Sequence, residues 1–243
     1  MKIKRAVSIP FFRIYQYKLH KIKTTIKSSG GKILKIGIVG ATGKAGRLIL
    51  KEAVSRGHDV TAIVRNKSKL EDKNVKVIEK DIFDLTTEDL RHFDVVVNAF
   101  GAPLGNKDEH INAGRVLIEA LTGTGIRLIV VGGAGSLYLD DTHTKLVVET
   151  LPEEVHPTAK GQLQNLQELR QTTNLKWTFI SPALFFDPNG KRTGKYQKGK
   201  DQVIYNSEGK SYISYADFAI AVVDEIEKPQ HINERFTVVG EAK

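Results

Sequence analysis

A chain of 243 residues with 40% apolar content is long enough to bury one substantial α/β core and too short for two full domains. It has no cysteine, which excludes disulfides, thiolate nucleophiles and cysteine-ligated zinc and fits a reducing, cytoplasmic setting; its seven histidines are scattered without ligand spacing, so no metal site is expected. The formal net charge of +9 is no nucleic-acid signal for the body of the chain: nine of the 37 Lys and Arg residues lie within residues 1–33, which hold no acid, and from Leu34 onward 28 bases face 28 acids.

The basic leader, residues 1–33, ends in Ser28-Ser29-Gly30-Gly31, a flexible linker composition. Its apolar residues form neither a signal-peptide core nor a membrane span. Three readings stand: an organelle transit peptide, a basic arm touching nucleic acid or an anionic membrane, or the product of an upstream start codon. A dispensable tail ahead of one functional domain, residues 34–243, is the expectation.

That domain opens on Lys35 to Gly46, KIGIVGATGKAG. Ile36, Ile38 and Val39 read as a buried strand, and Leu48, Ile49, Ala53 and Val54 read as one face of a helix, so Gly40, Gly43 and Gly46 fall in a strand-to-helix turn. Gly40 permits the bend, Gly43 lets backbone approach a pyrophosphate, and Gly46 lets the helix lie close on the strand. The helix N-terminus aims free N–H groups at the anion. A nucleoside-triphosphate loop is excluded, because Lys44 is followed by Ala45 rather than Ser or Thr.

Asp59 to Val64 reads as the second strand. Where NAD-binding versions place an acid for the ribose 2′-hydroxyl, this chain has Arg65-Asn66-Lys67, so NADP(H) is preferred over NAD(H). Residues 75–78 follow as a third strand. Asp81 then either meets the adenine amino group, with Ile82 packed on the ring, or serves as a turn residue or helix cap. Thr86 opens a short helix. Residues 94–98 make a fourth strand whose end, Asn98, Ala99, Phe100 and Gly101, lies over the ribose and pyrophosphate.

A helix over 108–121 leads to the fifth strand, 127–131, and to the turn Gly132-Gly133-Ala134-Gly135-Ser136, which opens space beside a nicotinamide where Ser136 can supply a hydroxyl. Helical spacing returns over 158–171, with His156 and Lys160 four apart at its start. Residues 177–180 are the sixth strand; Pro182 fixes the following turn and Ala183 leaves an amide accessible to the nicotinamide carboxamide. Residues 187–214, rich in turns and with strand-like pieces at 202–205 and 211–213, read as a substrate flap. Its Lys191, Arg192 and Lys195 either attract an anionic substrate or form a solvated face. Ser214 and Asp217 resemble a capping box opening a helix to about Glu227, and residues 236–239 close the sheet.

The motifs GATGKAG, HDVTAIVR, NAFGAP, RLIVVGGAGSL, LKWTFISPALFF, KRTGKY, SYISYADFAIAVVDEIEKP and RFTVV together resemble the NADH-flavin reductase family of atypical short-chain dehydrogenases, itself similar to NmrA-like proteins and to biliverdin/flavin reductases. The resemblance covers about residues 35–240. It implies a single Rossmann-type, doubly wound, mostly parallel α/β sheet with helices on both faces. It also implies cofactor positions at Gly40, Ala41, Thr42, Gly43, Lys44, Ala45, Arg65, Asp81, Ile82, Asn98, Ala99, Phe100 and Ser136, and hydride transfer to a flavin or quinone-like acceptor.

The chain departs from standard short-chain dehydrogenases in lacking a Tyr-x-x-x-Lys pair; His156-Pro-Thr-Ala-Lys160 has that spacing with histidine in tyrosine's place. A flavin needs stacking, orientation and exclusion of water, which tolerates a missing general acid, whereas alcohol–ketone chemistry does not. The expected function is therefore reduction of a planar small molecule by NADPH, with no nucleic-acid partner for the body. Two other readings remain: a non-catalytic redox sensor of NmrA type that binds NADP(H), and a sugar-nucleotide epimerase or dehydratase.

Overall fold

In the computed structural model, which describes residues 31–241, the apolar runs become strands covered on both faces. In chain order the elements are β1 (Lys35–Val39), α1 (Lys44–Ser55), β2 (Asp59–Val64), β3 (Lys76–Glu79), α2 (Thr87–Leu90), β4 (Val95–Asn98), α3 (Lys107–Leu121), β5 (Arg127–Val131), α4 (His156–Arg170), β6 (Lys176–Ser181), β7 (Phe185–Asp187), β8 (Tyr196–Gly199), β9 (Tyr212–Ser214), α5 (Tyr215–Glu227) and β10 (Glu234–Gly240). The leader expected over residues 1–33 lies, through residue 30, outside the described residues.

The main sheet has the order β3-β2-β1-β4-β5-β6-β10-β8, parallel except where β8 runs against β10. This is a Rossmann-like, doubly wound arrangement. Strand order reverses between β1 and β4, which opens a crevice at the carboxyl ends of the strands. Register keeps that edge level: Val39 lies opposite Ile63 and Asn98, and Asn98 opposite Val130. The turns after β1, β2, β4 and β5 therefore leave the sheet side by side.

Each face of the sheet has its own core. Ile38, Ile49, Ala53, Phe218 and Val222 belong to a cluster with α1 and α5, and Leu117, Leu121, Leu128, Leu166 and Phe179 to one with α3 and α4. Residues 218–223 of α5 are buried throughout, because α1 packs on this helix as well as the sheet. Burying each such large side chain stabilises the fold by about 1.5–3 kcal/mol.

The segment 187–214 differs most from its sequence reading. Of the strand-like residues 202–205 only Gln202 bridges, to Tyr138, whereas β8 joins the main sheet and β7 and β9 pair with each other. All three are short, and β7 and β8 are partly exposed, so they carry little periodicity; β9, though buried, is only three residues long. Ser214 does cap α5, accepting from the Asp217 N–H at 3.0 Å, but the Asp217 carboxylate does not close the box. It accepts instead from the N–H groups of Thr193 and Gly194 at 2.9 and 2.8 Å and from the Thr193 hydroxyl at 2.7 Å.

Asp217 is fully buried, so truncating it strands several donors at once. Asp217→Ala is expected to lower stability by about 2–4 kcal/mol in urea unfolding, with Asp217→Asn losing less.

Candidate functional site

The turn between β1 and α1 is held open by close backbone contact. Gly40 has φ of +74°, and a Cβ on it would stand 2.6 Å from the Ala99 carbonyl oxygen. A Cβ on Gly46 would stand 2.2 Å from the Gly40 carbonyl oxygen, so a side chain there forces the helix away from the strand. Gly40 donates to the Ile63 carbonyl, Gly43 to the Gly40 carbonyl and Ala99 to the Val39 carbonyl, each at 2.9–3.0 Å. Gly43 caps α1 without a side chain, and the amides of Lys44, Ala45 and Gly46 occupy the first turn, where no intrahelical acceptor exists. The result is a rigid anion cradle at a helix N-terminus.

The cradle forms one end of a cleft of about 1060 Å³ that runs along the carboxyl edge of the sheet. Its charge is one-sided: Lys44, Arg65, Lys69 and Lys80 line it, and among the described residues no Asp or Glu does. Lys80 is paired with Asp89 at 2.7 Å, while the Arg65 side chain is largely exposed and stands 3.9 Å from Asp81. Asn66 accepts from the Ser68 N–H at 2.9 Å and caps the turn Lys67–Lys69, which carries Lys69 round to the cleft.

The other end is apolar. Leu104, Leu184, Phe186 and Tyr215 line it, with the Phe186 and Tyr215 ring centroids 3.7 Å apart. Burial pushes the Tyr215 phenol up, so it stays protonated at neutral pH. His110, Thr158 and Gln162 supply the polar atoms of this half. Burial pushes the His110 imidazole down, which leaves it neutral near pH 7.

A family model described as NAD(P)H-binding matches residues 40–229, from the first cradle glycine to just past the end of α5. The chain belongs to this NAD(P)H-binding family. It is 60% identical over 213 residues to the uncharacterized protein YwnB of Bacillus subtilis (strain 168), covering 86% of this chain and all of that protein. Among solved structures, a protein of Streptococcus pneumoniae TIGR4 provisionally named an NADH-flavin reductase is 45% identical, with a TM-score of 0.80 over 86% of this chain and 100% of its own. A protein of Bacteroides thetaiotaomicron provisionally named an epimerase is 35% identical, with a TM-score of 0.78 over 86% of this chain and 97% of its own. Among the described residues no helix is long and apolar enough to cross a membrane.

On this NAD(P)H-binding fold the sequence candidates divide. Gly40, Thr42, Gly43, Lys44, Ala45, Arg65, Ile82, Ala99, Phe100, Gly101, Gly133, Pro182 and Ala183 all line the cleft. Ala41 is buried beneath the turn, and Gly46 acts through its contact with Gly40. Asp81 takes the cap role: its carboxylate accepts from the Phe83 N–H at 3.2 Å and leaves the cleft wall to Ile82. Asn98 accepts from the Phe100 N–H at 3.1 Å and so shapes the turn from below.

Ser136, His156 and Lys160 are not among the residues that line the cleft. Ser136 is buried and its hydroxyl accepts from the Arg235 guanidinium at 3.1 Å, while the same Arg235 nitrogen reaches the Ser136 carbonyl. Arg235, on β10, thus pins the turn after β5 from behind. On α4 the cleft is faced by Thr158 and Gln162, two residues on from His156 and Lys160 and so rotated by about 200° around the helix. The i,i+4 spacing was legible; which of two such pairs faces the sheet's edge was not.

The bases Lys191, Arg192, Lys195, Lys198 and Lys200 stand away from the cleft lining. Arg192 binds the Glu52 carboxylate on α1 at 3.1 Å, and Lys198 reaches Gln230. The neighbours of the expected flap, Phe186 and Tyr215, are the residues that reach the cleft.

Gly46→Ala is expected to keep the fold yet weaken nicotinamide dinucleotide binding at least about tenfold, about 1.4 kcal/mol, in titration calorimetry.

Proposed function

We propose that the protein is an NADPH-dependent reductase of a planar, apolar-edged acceptor such as a flavin or quinone. The observation that carries this reading is the division of the cleft: four bases and no acid around the cradle, and aromatic and aliphatic side chains without a carboxylate at the far end. Supporting it, the Streptococcus pneumoniae relative bears a flavin reductase name.

The Gly40–Gly46 turn and the first amides of α1 hold the pyrophosphate. Arg65 and Lys69 hold the ribose 2′-phosphate, Arg65 with paired charge-assisted hydrogen bonds and Lys69 as a point charge. Gly133, Pro182 and Ala183 border the nicotinamide. Bound NADPH supplies the hydride. Leu104, Leu184, Phe186 and Tyr215 orient a flat acceptor and exclude water, which is most of what such a transfer requires of a protein. Hydrogen-bond donors on the opposite wall stabilise the negative charge that develops on the acceptor.

A second reading, a redox sensor that binds NADP(H) without turnover, draws support from the placement of Ser136, His156 and Lys160 off the cleft lining. It requires affinities that separate oxidised from reduced cofactor strongly, together with no oxidation of NADPH by any member of a broad acceptor panel. The reductase reading requires faster oxidation of NADPH by excess flavin or quinone in stopped flow than in buffer.

Arg65→Ala is expected to weaken NADPH binding about 10- to 100-fold while changing NADH binding less than about twofold, read by calorimetry or by the shift in Tm that each cofactor gives. Equal losses for both cofactors would remove Arg65 as the phosphate ligand.

A further inference from the structure

Helices α3 and α4 meet on two reciprocal contacts. His110 and Gly114 lie one turn apart on α3, and Gly161 and Asn165 one turn apart on α4. A Cβ on Gly161 would stand 2.6 Å from the Lys107 carbonyl oxygen and 3.1 Å from the His110 Cβ, and one on Gly114 would stand 1.7 Å from the Asn165 Nδ2. Each polar side chain therefore lies over the other helix's glycine. A third glycine does the same for a third polar residue: a Cβ on Gly133 would stand 2.0 Å from the Gln162 Oε1.

Hydrophobic side chains at these crossings would close the interface at no cost in unpaired polar atoms. The chain instead buries His110 and Asn165, 9% and 4% exposed, and leaves His110 Nε2 and Asn165 Nδ2 without a protein partner. Native proteins pair such groups with protein or with ordered water. Both side chains border a chamber of about 10 Å³ behind the cleft wall, together with Asn98, Phe100, Gln162 and Phe179. That volume is about what one water requires. Phe100, His110, Val131 and Gln162 line both the chamber and the cleft, so they are the partition between them, and His110 and Gln162 are its polar members.

We propose that this chamber is a binding site for a single internal water, which bridges Asn165 Nδ2 and His110 Nε2 and so holds the His110 imidazole in the polar wall facing the acceptor. Asn165 Nδ2 can only donate, so the water accepts from it and turns a proton toward His110 Nε2. The His110 ring, neutral in this burial, then carries its own proton on Nδ1. Asn165 is a positioning residue: it borders the chamber, is not among the residues lining the cleft, and acts on the acceptor half through the water and His110. The water site stands on the chamber alone; its bearing on reduction rests on the function proposed above.

The test is a high-resolution crystal structure of the full chain with NADPH, paired with 15N NMR of His110. The expected result is one density peak within hydrogen-bond distance of both atoms and a His110 Nε2 without a proton. Asn165→Leu removes the peak, lowers NADPH oxidation by menadione about tenfold and leaves the NADPH Kd within about twofold. If that variant does not fold, His110→Phe, which keeps an aromatic ring in place while removing the Nε2 acceptor, is expected to give the same pattern. A chamber without density in the wild-type protein overturns the proposal, as does full menadione turnover in a variant that has lost the peak. If the wild-type protein oxidises no NADPH with any acceptor, the reductase reading falls, and the density and the His110 tautomer decide the water site by themselves.

Discussion

The contact between the Gly40 carbonyl and the backbone of Gly46 is the constraint on which the rest of the molecule depends. It sets how closely α1 lies on β1, and through that the direction in which the helix's unpaired amides point. A side chain on Gly46 would push the first turn of α1 away from the Gly40 carbonyl and misdirect its unpaired amides, and one on Gly40 would push that turn off Ala99. One steric requirement therefore serves both the core and the anion site, and no side chain is needed to do it.

Beyond the cradle, the cleft is built from connections rather than strands, and the level register of β1, β2, β4 and β5 is what brings those connections together. The loop after β2 supplies Arg65 and Lys69, the one after β4 supplies Phe100, and the one after β6 supplies Leu184. The charge of the cleft is local. The body of the chain balances its acids and bases, and although no Asp or Glu among the described residues lines the cleft, Asp89 pairs with one of its bases, Lys80, and Asp81 stands 3.9 Å from another, Arg65, while capping its own turn.

The sheet and the cradle were legible in the sequence because parallel strands buried on both faces appear as unbroken apolar runs, and because glycines at fixed offsets have few other reasons to exist. The apolar end of the cleft was less legible. Leu104, Leu184 and Tyr215 look like ordinary loop or helix-start residues until Phe186 is seen tilted against the Tyr215 ring. Ser136 follows a glycine-rich turn and has the right chemistry, but its hydroxyl is committed to an arginine ninety-nine residues further on, a partner no local pattern announces. The ambiguity of Asp81 between adenine contact and cap was also a local one, and the hydrogen bond to Phe83 places the carboxylate in the cap.

The arginine that pins Ser136 sits on the last strand of the sheet, so the cleft is finished in a particular order. A nascent chain that has reached β4 already holds every glycine of the cradle together with Ala99, against which Gly40 packs. The turn after β5 gains its anchor only when β10 has paired with β6, close to the carboxyl terminus. During synthesis the glycines of the turn after β1 and their contact with Ala99 are thus all present long before the arginine that secures the turn after β5, and a chain cut short ahead of Arg235 would leave that later turn unsecured.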